Sequence, residues 1–442
     1  MNETHDPRRT SWVESAQGGS DFPIQNLPFG VFQERGNEED AARVGIAIGD
    51  EILDVTACHD EGRFTGLAER AAEACAAPSL NLLMGLGREH LSELRRQVAS
   101  LLDADSPARK ANRRLGDRIL VPRAAAELLL PANIRDYTDF YASVHHATNV
   151  GSMFRPDNPL LPNYKWLPVA YHGRASSLVP SGTPVRRPRG QVKDAHADTP
   201  AYIPTRALDY EMELGCFVAL PNPLGEPVPI DRAEVHLFGI CLVNDWSARD
   251  VQTWEYQPLG PFLAKNFATT VSPWVVTFEA LEPFRVPAFR RPAGDPAVLP
   301  YLHSERDAAT GGLDVTVEVY LASDRMRQES VQPVRLSRGR ATDLYWTVAQ
   351  MLTHHTSNGC NLTTGDLFAS GTISGPTKES RGCLLELTWR GAEPITLPTG
   401  ETRKFLEDGD EVIMRGFCER EGAVRIGLGE CRGIVVPSSG SG

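Results

Sequence analysis

The sequence lacks most features that would place it outside ordinary globular proteins. No uncharged apolar stretch reaches the roughly 18 residues of a membrane span. The longest such stretches, typified by Asn266 to Phe278, carry Thr, Ser and Pro. The opening residues, MNETHDPRRTSWVESA, have no apolar core of signal-peptide length. Cysteines stand at 58, 75, 216, 241, 360, 383, 418 and 431, with no CxxC and no Cys/His group of zinc-finger spacing. They read as reduced, partly buried thiols, and the cytoplasm is the expected compartment. Excess positive charge is missing too: 45 Lys+Arg against 57 Asp+Glu gives −12. Such a chain is a poor nucleic-acid or anionic-membrane binder, so neither is expected as a partner. P-loop, GxSxG, HExxH and GxGxxG contexts are absent, which removes support for nucleotide, serine-hydrolase and zincin chemistry.

What is present reads as a soluble two-domain protein. With 442 residues, 41% apolar and 23% charged, the chain exceeds one typical core. Residues 1–20 are polar and expected to be loose. Ile24–Phe32 and Arg43–Val55 read as short strands, the second with alternating Val44, Ile46 and Ile48 and a turn at Gly49-Asp50. Helices are expected at about 65–76 and 88–102, where Leu91, Leu94, Val98 and Leu101 recur at helical spacing. The boundary is expected within 118–132, dividing a domain 1–125 from a domain 126–436, with PSSGSG at 437–442 as a disordered tail. From Asn133 onward, β-prone runs such as YEMELGCFVAL, FGICLVNDW, SPWVVTFEAL, LDVTVEVYLA, LLELTW and DEVIMRGFC alternate with Pro/Gly turns. They predict a β-rich larger domain, interrupted by helical stretches at 136–147 and 341–358.

Three constellations carry chemistry. On a strand, Glu211 and Glu213 share one face, while Tyr210, Met212 and Leu214 share the other. Two like charges so placed fit either a hard-metal site or a solvent-facing strand. Asp139 and His146 are seven residues apart, two turns if 136–147 is helical, so both would share a face. His145 points about 100° away from His146 on a helix, and geometry alone leaves the choice between them open. Finally, an apolar run ends in Asn244-Asp245, with Arg249, Gln252, Tyr256 and Lys265 close behind. A carboxylate ending a buried strand needs a partner or a cation. The residues thus predict an oxygen-ligated divalent metal site with a histidine and several donors, without naming a reaction.

Longer runs name a family. DYTDFYASVHHATNVGSMFRP, LPNYKWLPVAYHGRASSLVPSGTPVRRPRGQ, NDWSARDVQTWEYQPLGPFLAKNFATTVSPWVV, LTHHTSNGCNLTTGDLFASGTISGP and FLEDGDEVIMRG resemble the fumarylacetoacetase family across about 133–436. SWVESA and DFPIQNLPFGVF resemble it more loosely. The resemblance implies a mainly β protein with some α. An N-terminal SH3-like barrel would precede a C-terminal β-roll catalytic domain, in a homodimer. It implies hydrolysis of the C–C bond of 4-fumarylacetoacetate to fumarate and acetoacetate, the last step of tyrosine and phenylalanine degradation. Metal ligands would be Asp139, Glu211, Glu213 and Asp245, with calcium or magnesium bound. A further cation position would fall on Asp245, Lys265 and Thr269, with Lys265 contributing its carbonyl oxygen. His146, not His145, would be the base, oriented by Glu386. Arg249, Gln252 and Lys265 would stabilise the oxyanion. Tyr141, Arg155, Tyr171, Gln252, Tyr256 and Thr372 would contact substrate.

Two competing readings remain at this stage. One is another superfamily activity, acylpyruvate hydrolysis or decarboxylation, which would lose Tyr141, Arg155 and Tyr256. The other is a non-catalytic metal-binding homologue, which would tolerate loss of His146 or Glu386. All these residues are present.

Overall fold

The computed structural model describes residues 1–37 and 41–440. Two curled sheets organise the chain. The first has five antiparallel strands in the spatial order Leu120–Pro122, Glu51–Asp54, Arg43–Ile48, Phe29–Glu34 and Ala126–Leu128. Its two edge strands are consecutive in sequence, joined by the single turn Arg123–Ala125. Three residues span about 10 Å at most, so the sheet must curl until its edges meet, as a small barrel does. The expected boundary at 125/126 falls at the end of this turn. Gly49-Asp50 turns the Arg43–Ile48 and Glu51–Asp54 hairpin, with Ile48 opposite Glu51. Helices Leu67–Ala74 and Arg88–Leu102 pack outside it, close to their expected positions.

The second sheet runs Ala170–Gly173, Tyr137–Phe140, Leu367–Ala369, Met212–Val218, Leu237–Asp245, Thr269–Val271 and Leu178–Pro180, with Val276–Thr277 beside Leu237–Asp245. Here too the edges are near neighbours, since only residues 174–177 separate Gly173 from Leu178. The sheet curls into a half-barrel. Most of its pairs are antiparallel, but Tyr137–Phe140 lies parallel to Leu367–Ala369 and Thr269–Val271 parallel to Leu178–Pro180. A third sheet, ordered Val334–Arg340, Thr316–Ala322, Glu411–Cys418, Ile426–Val436 and Val185–Arg186, covers one face. Val317, Val319, Leu321, Met414 and Leu428 from it share one core with Met212, Leu214 and Leu242 of the half-barrel. The opposite core joins Val44, Ile46 and Leu94 to Phe217, Cys241 and Val243. The half-barrel is therefore packed on both sides, and its rim is left for polar work.

Several expectations need correction. Residues 1–20 are not loose: Trp12, Val13 and Ala16 are buried, and Trp12 Nε1 donates to the Leu101 carbonyl at 2.8 Å. Three apolar residues suffice to seat this segment over helix Arg88–Leu102, and its polar composition hid them. The strand expected at Ile24–Phe32 begins only at Phe29, because Leu27 turns the chain with φ 56° ahead of Pro28. The helix expected at 136–147 is two elements, strand Tyr137–Phe140 and helix Val144–Phe154. Ser143 divides them, its hydroxyl accepting from the His146 amide at 3.2 Å as an N-cap. The 341–358 stretch is a short turn at Ala341–Asp343 and a helix Val348–Thr356, started by a Thr347/Gln350 capping box. LLELTW is no strand but a helical turn, Leu384–Leu387, and SPWVVTFEAL contributes only Val276–Thr277. Of the expected tail, 441–442 lie outside the described residues.

All eight cysteines are free thiols, seven buried and Cys360 half-buried. Among the described residues, no helix is long and apolar enough to cross a membrane.

Candidate active site

A cavity of about 590 Å³ opens at the rim of the half-barrel. Its lining includes Asp139, Tyr141, His146, Arg155, Tyr171, Glu211, Arg249, Gln252, Tyr256, Lys265 and Thr372. The chain's own geometry brings them there. Asp139 sits on the strand Tyr137–Phe140, directly opposite Tyr171 in register. Glu211 and Glu213 flank Met212, whose partner across the sheet is Asn244, the neighbour of Asp245. Gly371, with φ +76°, lets the chain pass close by, since a Cβ there would lie 2.2 Å from the Phe140 carbonyl oxygen.

The expected sharing of a face by Asp139 and His146 does not come from two turns of helix. Asp139 is on a strand and His146 on the helix that follows, and both line one cavity because the chain reverses at 141–143. The shared face of Glu211 and Glu213 is observed, with Tyr210, Met212 and Leu214 in the core behind it.

One wall is anionic. Ligand oxygens of Asp139, Glu211, Glu213 and Asp245 lie within 4.8 Å of one another, and all four side chains are buried. Lys265 Nζ bridges Glu211 and Asp245, donating to Asp245 Oδ2 at 2.8 Å. Tyr171 OH and Thr269 Oγ1 each donate to Asp245 at 2.6 Å. Arg249 Nη1 meets Glu211 Oε1 at 2.7 Å. Among the described residues Glu213 receives nothing: both oxygens are buried without a donor, as is Asp139 Oδ1. Burial first, then the neighbouring carboxylates, pushes Glu213 and Asp139 well above the usual range. Burial also opposes ionisation of Glu211, but Lys265 and Arg249 outweigh it and hold that carboxyl low. With all four carboxylates ionised, Lys265 and Arg249, the latter shared with the buried Asp209, leave at least two negative charges unbalanced. That deficit, hard oxygen donors and unpaired buried oxygens together fit one divalent cation.

The same cavity also holds one end of an acid–base pair. His146 Nδ1 lies 2.6 Å from Glu386 Oε2. Glu386 is fully buried yet well supplied with donors: Ser374 Oγ to Oε2 at 2.8 Å and Asn149 Nδ2 to Oε1 at 2.8 Å, with Cys383 Sγ 3.2 Å from Oε2. Burial would raise this carboxyl, but His146, Asn149 and Ser374 hold it down to about 2. The ionised Glu386 sets the proton on Nδ1 and leaves Nε2 as the basic nitrogen. The Tyr141 ring stands edge-on to His146 at 5.1 Å. His145 is half-buried and absent from the cavity lining.

Donors wait in the space between. Arg249 Nη2, Arg155 Nε and Thr372 Oγ1 are buried with no partner. Gln252 Oε1 accepts from Arg249 Nη1 at 3.2 Å, which leaves its amide nitrogen free to donate. Lys265 enters by its ammonium, which pairs with Glu211 and Asp245.

Sequence reasoning missed the groups behind these residues. Asn149 had a signal, since it follows His146 by three positions on one helix face. Ser374 had none, being 12 positions from Glu386, and Cys383, only 3 positions ahead of it, is missed because LLELTW reads as a strand, which turns residues at that spacing to opposite faces.

A half-barrel whose rim cavity joins a histidine–carboxylate pair to cation-ready carboxylates defines an enzyme of general acid–base type. Comparison with known proteins specifies the class. The family description "Fumarylacetoacetase N-terminal" matches residues 25–131, and "Fumarylacetoacetate (FAA) hydrolase C-terminal" matches residues 136–436. The chain is 50% identical over 421 residues to Fumarylacetoacetase of Bos taurus, covering 95% of this chain and 97% of the relative. It is 50% identical over 428 residues to Fumarylacetoacetase of Caenorhabditis elegans, covering 96% and 98%. Among solved structures, a fumarylacetoacetate hydrolase from Exiguobacterium antarcticum aligns with a TM-score of 0.51 at 19% identity, over 93% of this chain and 99% of that one. That likeness speaks for the fold alone. The chain belongs to the fumarylacetoacetase family.

Proposed function

We propose that the protein hydrolyses the C–C bond of 4-fumarylacetoacetate to fumarate and acetoacetate, the final step of tyrosine and phenylalanine degradation. The observation that carries this reading is the His146–Glu386 pair facing unpartnered buried donors and a carboxylate cluster across one cavity. Half-identity to fumarylacetoacetases over nearly the whole chain supports the choice of substrate.

Asp139, Glu211, Glu213 and Asp245 are the proposed ligands of a hard divalent cation, calcium or magnesium, and Asp245, Thr269 and the backbone carbonyl of Lys265 a second cation position. When bound, the cation supplies Lewis-acid polarisation of a substrate carbonyl. The protein's own groups do the rest. His146, held in one tautomer by Glu386, takes a proton from water. The hydroxide adds to the carbonyl on the fumaroyl side. Arg249, Gln252 and Lys265 donate to the resulting oxyanion, an effect worth about 3–4 kcal/mol for a well-placed donor. The C–C bond breaks with its electron pair on the acetoacetate fragment, and a proton returned to that carbon completes the step. Tyr141, Arg155, Tyr171, Gln252, Tyr256 and Thr372 would orient the substrate. Arg249 is already paired with Glu211 and Asp209, so entry of a dianion would rely on the bound cation together with Arg155.

The division of the chain within 118–132, the cytoplasmic location and the homodimer belong to the same proposal. Eight unpaired thiols support a reducing compartment. The test is loss of fumarylacetoacetate absorbance with the purified protein, with and without chelator and with calcium or magnesium restored. Turnover that chelation abolishes and metal restores is expected; no turnover under any metal condition overturns the reading.

A further inference from the structure

Asp209 is a buried group beside the site that the mechanism leaves unused. It has no solvent exposure and stands just ahead of Glu211, in the LDYEMEL run. The short pairing of Leu208–Asp209 with Ser247–Ala248 brings it beside the start of helix Arg249–Glu255. Its carboxylate then reaches two separate parts of the site. Oδ2 accepts from Arg249 Nε at 2.9 Å and from the Leu385 amide at 3.0 Å. Oδ1 accepts from the Leu384 amide at 2.8 Å and the Tyr210 amide at 2.9 Å.

Both connections matter. Leu384 and Leu385 open the helical turn that carries Glu386, and its N-cap residue, Cys383, makes no side-chain cap bond. The orphan amides of that turn must find an acceptor elsewhere, and Asp209 is that acceptor. At the other end, the guanidinium is anchored through Nε. It is thereby aimed with Nη1 on Glu211 and Gln252 while Nη2 keeps no partner. A planar fork held at one nitrogen fixes the direction of the other two.

We propose that Asp209 is a positioning residue, one carboxylate that sets both the Arg249 guanidinium and the turn presenting Glu386 to His146. It touches no substrate. It makes the oxyanion donor and the base's orienting carboxylate move as one body. The inference rests on the proposed hydrolysis for its kinetic arm only.

The variant is Asp209→Asn, close in shape but unable to accept from Arg249 and both amides together. The control is Asp54→Asn, which breaks a largely buried pair in the first sheet, away from the cavity, where Asp54 accepts from Arg43 Nε at 2.6 Å and from the Ala57 amide at 3.0 Å. We expect Asp209→Asn to lower kcat about 100-fold with KM within about threefold, and Asp54→Asn to lower Tm while kcat stays within about twofold. In a Glu386→Gln background, Asp209→Asn should cost less than about tenfold, because part of its work is already lost. The low-field proton resonance of the His146–Glu386 hydrogen bond, identified by its loss in Glu386→Gln, supplies a readout without turnover. It should shift in Asp209→Asn and also in Arg249→Lys, which leaves Asp209 in place and so reports even where Asp209→Asn fails to fold. An unmoved resonance in Arg249→Lys overturns the link between the two ends. So does a kcat for Asp209→Asn no lower than that of Asp54→Asn. Absence of turnover in the unsubstituted protein would strike the hydrolysis reading and leave the resonance test standing.

Discussion

Glu213 and Glu386 are both fully buried glutamates, yet they have opposite electrostatic fates. Glu386 is met by His146, Ser374 and Asn149, and its carboxyl is held down to about 2. Glu213 has no donor on either oxygen, and burial among other carboxylates pushes it well above the usual range. Burial is common to both and cannot explain the difference. Donors explain it: a buried carboxylate that the fold supplies with hydrogen bonds is a finished component, and one left bare is a place for a cation.

That contrast can be broken from either side. The largest effect is expected at the finished side. His146→Ala should lower kcat by about 10²–10⁴-fold, with His145→Ala close to the unsubstituted protein in the same steady-state assay. Equal losses would remove the distinction between the two histidines. Next comes the bare side. Glu213→Gln should weaken calcium or magnesium binding at least about tenfold by calorimetry. In the metal-free protein it should raise Tm, and more so as pH rises above the ordinary carboxyl range, since Gln cannot ionise where burial and the neighbouring carboxylates resist a charge. A lower Tm without metal would mean that Glu213 has a partner after all.

A smaller effect is expected at the supports of Glu386. Ser374→Ala removes one donor and should cost about 1–3 kcal/mol of stability, measured by denaturant unfolding. The smallest effect separates the two carboxyls by pH. Glu386 is depressed in the folded protein, so its contribution is full above the unfolded value of 4.5 and is lost as pH falls towards about 2. Unfolding free energy should therefore drop more steeply over this window in the unsubstituted protein than in Glu386→Gln. Parallel curves would show that the donors around Glu386 do not hold its charge.

Much of this site was legible before any coordinates. Alternation alone put Glu211 and Glu213 on one face and Tyr210, Met212 and Leu214 on the other, because a strand leaves no other choice. The Gly49-Asp50 hairpin and helix 88–102 were equally local, and the family runs named the residues of the cavity. Local pattern failed where two elements meet. The stretch 136–147 looked like one helix because Asp139 and His146 have helical spacing, while the Ser143 cap divides it. LLELTW looked like a strand because apolar residues in a short run fit either element, and the amides that Asp209 accepts settle it as a turn.

By itself, then, the sequence determined which residue types are present, which share a strand face and which family they follow. Each of these depends on neighbours within a few positions, or on the order of residues along the chain. The tertiary structure decided which charges meet. His146 finds Glu386 across 240 positions and Lys265 finds Glu211 across 54, and Glu213 finds no one. The protonation and role of a buried carboxylate are set by donors within hydrogen-bond reach, and only the closed fold fixes which donors those are.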